Sequence, residues 1–433
     1  MNKILKFFLI FIIISSCSFN KNSKFWSNEK IKEEVQQKSK KIFKKKKPLN
    51  LEFNPNLKIK ISSKAVNKNF LNNLDNNYGR IDFDGLFTNK SKFKFSRISN
   101  FFRFDPEIIV NDNKVIFFNN KGAILKFDEN SRLIWKNNFY TKKEQKLKPI
   151  LQLASNNRIL IVADNISKYY AVDIDTGELL WFKYNNSPFN SQIKIYKDKF
   201  FVIDSENILI CYSLKDGSEI WKTKTSKAFI KSQKKLSIIV LEDMVYFNNS
   251  VGEISAVDIK SGTLIWQTPT QNSLIYEDSF SLKTSDLVLY KNSILLSNNR
   301  NNFFSLSVNS GIINWEQQIN THLRSSIIND LIFSVTMNGF LTVVDFKNGN
   351  LIRTTDIFRL FKDKRRKKIK PVGFIIGLKN IYLSTSNGKL LIIDIETGKT
   401  TSVLKISKNK ISKPFIENKN MFLATDSSII KLN

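Results

Sequence analysis

Apolar and polar residues alternate in short runs along most of this chain, and turn residues break the runs at close intervals. Alternation with a period of two marks half-buried strands rather than helices. One eleven-residue pattern organises the runs, with its clearest copies at Ala171–Trp181 and Ala256–Trp266. A small residue opens it, Asp173 or Asp258 stands third, Thr176 or Ser261 sixth, Gly177 or Gly262 seventh, and Trp181 or Trp266 eleventh. The apolar arms read as two strands and the centre as a turn. The Asp carboxylate can accept hydrogen bonds from the turn backbone, and Gly reaches a positive φ that other residues resist. Each copy is therefore expected to be a β-hairpin.

Further copies follow. Cys211–Trp221, with Gly217, and Ser305–Trp315, with Gly311, carry Ser213 and Ser307 in place of the Asp. Leu125–Trp135 fits more loosely, with Ser131 at the glycine position. Two later copies keep the turn and lose the Trp: Val343, Asp345, Gly349, Arg353, and Ile392, Asp394, Gly398, Ser402. Five of the six Trp occupy this one slot, so the indole is expected to fill a gap between neighbouring units that one hairpin could not bury alone. Ser131 and the turn glycines step by 46, 40, 45, 49, 38 and 49 residues.

About four strands per step of that length predicts an all-β fold, an eight-bladed β-propeller of four-stranded antiparallel blades. Seven complete units are expected over residues 107–138, 149–184, 192–223, 236–268, 287–317, 324–355 and 373–405. An eighth begins at Lys413–Ile416 and stops at Asn433 after three strands. Lys92–Ile98 alternates like a strand, precedes the first unit and belongs to none. It is expected to complete the C-terminal blade and so remove two open edges. The predicted organisation is a signal peptide over residues 1–16, a basic tether with some local docking over 17–85, and the propeller over 86–433.

The remaining composition narrows the chemistry. With two Cys, Cys17 and Cys211, there is no disulfide framework, and Cys211 takes the small-residue slot of Ala171, the place of a packed core thiol. His322 is the only His, which excludes a multi-His metal site. No residue suggests itself as catalytic, as a metal ligand or as a cofactor ligand. The net charge of +31 admits attraction to an anionic surface or a compositional bias toward Lys. The spread of Lys along most of the chain favours the second, with local clusters at Lys40–Lys47 and Lys362–Lys370.

At the N-terminus, Lys3 and Lys6 precede an apolar run over Phe7–Ile14, then Ser15, Ser16 and Cys17. A short basic segment, a short apolar segment and small residues make a secretory signal rather than a membrane span. Ile14–Cys17 resembles a bacterial lipobox. That resemblance implies cleavage before Cys17 and acylation of it, and two or three acyl chains form a firm anchor. Ser18 in place of Asp implies sorting to the periplasmic face of the outer membrane.

The hairpin motif resembles the repeat of quinoprotein alcohol dehydrogenases, the PQQ-type propeller. Adding the lipobox, the eight units, the lack of an inserted domain and the closing strand, the chain resembles the BamB-like lipoproteins of the outer-membrane β-barrel assembly (BAM) complex. The resemblance covers residues 92–433 and Ile14–Cys17. It implies a non-enzymatic scaffold without a cofactor, one copy in a hetero-complex, that docks on a BamA-type barrel-assembly protein and serves unfolded outer-membrane proteins. Two other classes share features with this chain. Quinoprotein dehydrogenases share the blades but add an adjacent Cys pair, Ca²⁺ ligands and long inserts, and this chain has neither the Cys pair nor the inserts. A glycan- or anionic-surface-binding propeller rests on charge alone; nucleic acid is not an implied partner. Loops carry function more often than blades. The longest between blades are Thr223–Lys235, Gln271–Asp286 and Asp356–Val372, and Phe229, Ile230 and Lys231 in the first are the candidate partner contacts.

Overall fold

The computed structural model describes residues 51–61, 80–85, 87–156, 158–226, 234–271 and 282–433. Over these the alternating runs form eight four-stranded antiparallel sheets, each laid out from its innermost to its outermost strand. Seven follow chain order, over residues 109–137, 151–184, 194–224, 238–269, 288–317, 326–356 and 371–405. The middle strands of a blade are buried on both faces, as in Phe200–Ile203, whereas the outermost strand Glu219–Lys224 is largely exposed. Packing is between blades rather than within one. Phe201 and Cys211 of blade 3 meet Val245 and Phe247 of blade 4, and burial pushes the Cys211 thiol up to about 12.

The eighth blade closes the ring with strands from both ends of the propeller. Its inner strands are Phe415–Glu417, Asn420–Ala424 and Ser428–Leu432, and its outermost is Lys90–Lys94, antiparallel to Ser428–Leu432. The closing strand starts and ends earlier than the expected Lys92–Ile98. Its partner begins at Ser428, so beyond Lys94 the chain follows the preceding turn instead, through Phe95 N–H to Ser427 O and Ile98 N–H to Asp426 O. Ile98 is buried although it breaks the alternation of Phe93 and Phe95.

The repeated motif is the interlock between blades. Gly177, Gly217, Gly262, Gly311 and Gly349 all have φ between +68° and +76° and sit against the Trp ring of the preceding blade. Asp173 Oδ1 accepts from the N–H groups of Asp175 and Thr176, and Asp258 Oδ1 from those of Lys260 and Ser261, which holds the turn. Each Trp of blades 2 to 5 donates its Nε1–H to the carbonyl at the motif's fourth position one blade on: Trp181 to Leu214, Trp221 to Ile259, Trp266 to Val308 and Trp315 to Phe346, at 2.9–3.3 Å.

The first and sixth copies depart from this scheme for visible reasons. The turn of blade 1 is one residue shorter, so Lys126, not Leu125, opposes Trp135. Lys126 is 2 % exposed and gives Ile174 O the hydrogen bond that Trp gives elsewhere, at 2.7 Å, with Asp175 beside it at 2.9 Å. Ser131 holds φ +68° without being glycine. The blade before it is the eighth, whose outermost strand carries no Trp to collide with a Cβ. In blade 6, Arg353 fills the Trp slot fully buried, and its guanidinium donates to the same fourth-position carbonyl, Ile395 O, and to Glu396 O. Gly398 of blade 7 lies against it as the other glycines lie against Trp.

A Cβ added at Gly217 would lie 2.5 Å from Trp181 Cζ3, at a φ of +68°. Gly217→Ala is therefore expected to destabilise the propeller by about 2–3 kcal/mol through strain and overpacking. A denaturant midpoint equal to wild type would refute the interlock.

Two stretches N-terminal to the closing strand also pack on the blades. Phe53 exchanges both backbone hydrogen bonds with Thr354 on the outer edge of blade 6, at 2.8 and 3.1 Å, and Leu57 O accepts from Arg353. Ile59 N–H donates to Glu396 O. Ile81 and Phe83 are buried at the first turn of blade 7, where Phe83 packs edge-on against Tyr382.

Candidate functional site on the propeller axis

Cys17, Phe229, Ile230 and Lys231 lie outside the described residues, as do most of the loops 223–235 and 271–286. The described ends of those loops run into the innermost strands, and there the structure assembles a cluster that the sequence reading missed.

Tight turns align the inner strands residue for residue, through pairs such as Tyr196 with Lys199, Tyr290 with Ser293 and Glu417 with Asn420. Four residues before each turn, one position per blade comes to the axis. In order these are Glu107, Gln152, Gln192, Ser237, Asp286, Arg324, Gly373 and Lys413. Lys413 Nζ of blade 8 lies 3.8 Å from Asp286 of blade 5, and Lys235 leading into blade 4 lies 3.0 Å from Glu107 of blade 1. Blades three apart in an eight-membered ring can touch only across its centre, so these pairs span the axis. Gly373 lacks a side chain where the Lys413 Cβ would lie 2.4 Å from an added Cβ.

Residues one layer away complete the cluster. Lys410 pairs with Asp105 at 2.6 Å, Lys234 with Asp286 at 3.9 Å, and Lys194 begins the inner strand of blade 3 at 4 % exposure. Burial alone would raise the Asp105 carboxyl, yet Lys410, Lys234 and Lys413 together bring it down to about 2. Asp286 is likewise held well below the carboxylate range: burial opposes, and Lys234, Lys413, Arg324 and Lys235 outweigh it. The cations bear the opposite cost. Burial brings Lys194 down to about 7 and Lys413 to about 8, and lowers Arg324. His322, two residues before Arg324, is brought down to about 3 by burial and by Lys234, and so is neutral.

No group of three or more His, Cys, Asp or Glu able to hold a metal occurs among the described residues. The third long loop packs its own apolar residues: Ile357, Phe358 and Ile369 are buried, and a short helix, Asp363–Arg366, lies between Phe358 and Ile369. Its basic cluster stays outside, with Lys362, Lys364, Arg365, Lys367 and Lys368 exposed while Arg366 pairs with Asp356 at 2.6 Å. The outer rims of blades 1 to 4 expose an apolar side chain beside the Trp slot, Ile134, Leu180, Ile220 and Ile265. The repeat position that builds the axial ring could have been found in the sequence, since it is polar, charged or glycine in all eight units.

Eight four-stranded blades, interlocked by a turn glycine against the preceding Trp and closed by an N-terminal strand, make this a PQQ-type β-propeller. A family profile described as "Outer membrane protein assembly factor BamB" matches residues 120–355. The chain belongs to that family. Similar curated relatives are the outer membrane protein assembly factors BamB of Legionella pneumophila (strain Paris) and Moranella endobia (strain PCIT). The first is 23% identical over 45% of this chain and 49% of its own length, so the match spans about half of that relative. The second is 22% identical over 64% of this chain and 70% of its own. Among solved structures, BamB from Moraxella catarrhalis superposes with a TM-score of 0.64 over 79% of this chain and 100% of that one, at 12% identity, a likeness of fold.

Proposed function

We propose that this protein is a non-enzymatic scaffold subunit of the outer-membrane β-barrel assembly complex. In this reading it is held at the periplasmic face of the outer membrane by acylated Cys17, docks on a BamA-type protein and aids insertion of outer-membrane proteins. The observation that carries the reading is the family match over the interlocked blades, residues 120–355. Two structural features support it. The axis is crossed by ion pairs between blades three apart, and the motif residues of the repeat are engaged in holding blades together. That leaves loops and outer edges for partners. Blade 6 already receives a strand residue, Phe53, on its outer edge. The docking patch is assigned to the loops over residues 223–235 and 271–286, which leave adjacent blades on one face, with Phe229, Ile230 and Lys231 as contacts.

The test is co-purification from membranes. Wild type is expected to fractionate with outer membrane and recover the barrel-assembly protein, whereas Cys17→Ala is expected in the soluble periplasmic fraction. Phe229→Ala combined with Lys231→Glu is expected to reduce recovery about tenfold or more, as for loss of a buried aromatic anchor and its charged neighbour. Far-ultraviolet circular dichroism should not change. Wild type that never recovers an assembly subunit removes the function; undiminished recovery by the double variant moves the docking surface elsewhere.

A further inference from the structure

The axial cluster holds six cations, Lys194, Lys234, Lys235, Arg324, Lys410 and Lys413, against three carboxylates, Asp105, Glu107 and Asp286. Four of the six hold a carboxylate at 2.6–3.9 Å. Lys194 and Arg324 are not among them: both feel Glu107 and Asp286, but neither is ion-paired to a carboxylate among the described residues. Charged groups taken from water are costly unless an opposite charge or hydrogen bonds compensate. The axis is therefore short of negative charge at the level of its two least compensated cations.

We propose that the propeller axis is a binding site for a small oxyanion of the phosphate or sulfate class, held by Lys194, Arg324 and Lys413. These three belong to blades 3, 6 and 8: Arg324 and Lys413 stand at the axial repeat position and Lys194 two residues past it, near enough for Arg324 and Lys413 to act on its charge. A guanidinium fork with two ammonium point charges suits a compact tetrahedral anion rather than an extended polyanion. Arg324 and Lys413 keep part of their surface exposed, so solvent reaches two of the three groups. The site goes beyond partner docking and does not depend on it.

Titration follows from the same geometry. The groups facing Lys194 are Glu107 and Asp286, which favour its charged form, and Arg324 and Lys413, which disfavour it. An anion among them favours the charged form of both lysines, so binding takes up protons. Affinity must then fall as pH rises through about 7 and 8, where the unliganded lysines lose theirs.

The experiment is calorimetric titration of the full-length protein with sodium sulfate, which stays dianionic over the range used, and with sodium phosphate. Sodium chloride at matched ionic strength is the control. The expected result is saturable one-to-one binding, weakened about tenfold by Lys194→Met and by Arg324→Gln, the effect of removing one charge-assisted hydrogen bond. Sulfate affinity in wild type is expected to drop about tenfold between about pH 6.5 and about pH 9. Arg324→Lys, which keeps charge and loses the fork, should weaken binding less than Arg324→Gln, and it serves if either neutral variant fails to fold. No saturable binding to wild type overturns the proposal. So does binding that all the variants retain unchanged, which assigns the anion to exposed surface such as residues 362–370, and so does a sulfate affinity independent of pH.

Discussion

Deleting residues 90–94 is expected to lower the melting temperature of the entire propeller by roughly 10 °C or more, because one short strand holds both ends of the ring. Phe93 in that strand is fully buried, with its ring centroid 5.8 Å from Phe127 of blade 1 and 6.5 Å from Phe422 of blade 8. Removing such a side chain alone costs about 3–5 kcal/mol. The deletion also frees the edge of Ser428–Leu432 and the paired backbone bonds between Asn89 and Asn433, leaving a strand edge open to other chains. Loss of solubility should accompany the loss of stability. Deleting residues 24–48 should leave the melting temperature unchanged. Scanning calorimetry of both truncations decides the matter, and equal transitions would mean that the closing strand contributes nothing to closure.

A second large loss is expected from Arg353→Ala, about 3 kcal/mol or more, from an emptied buried volume and stranded carbonyls. The guanidinium also ties down the N-terminal stretch: it donates to Ile395 and Glu396 of blade 7 and, at 2.9 Å, to Leu57 O. The stretch is further held by Phe53 on Thr354 and by Glu52 on Arg359 at 2.7 Å. The expected result is a lower denaturant midpoint together with faster proteolysis between residues 51 and 61. Arg353→Trp restores the side chain of blades 2 to 5 and keeps the Ile395 acceptor, so it should recover stability without recovering protease resistance. If Arg353→Ala leaves the midpoint unchanged, the blade 6 to blade 7 interlock does not run through this residue.

Both variants probe features of different legibility. The blades, their number and the closing strand were readable because each rests on local physics repeated along the chain: period-two alternation, a turn that needs positive φ, and a Trp at a constant offset from that turn. Eight three- and four-stranded units and one unassigned strand leave a single economical closure. The roles of Arg353 and Lys126 were not readable. In one dimension Arg353 is a lost Trp, and Lys126 is hidden by a turn one residue short. Only the facing blade, whose fourth-position carbonyl at Ile395 or Ile174 accepts from that side chain, explains why a long cation belongs there.

Sequence by itself determined the elements and the ring, since strand alternation and turn chemistry act over a few residues and the repeat multiplies them. Tertiary structure alone decided which residues pair at the centre and on the rim. Glu107 and Lys235, or Asp286 and Lys413, are each separated by about 130 positions, and nothing local relates them. They become partners because closure brings one position of every blade to a common axis, where water is scarce and each charge must answer to the others.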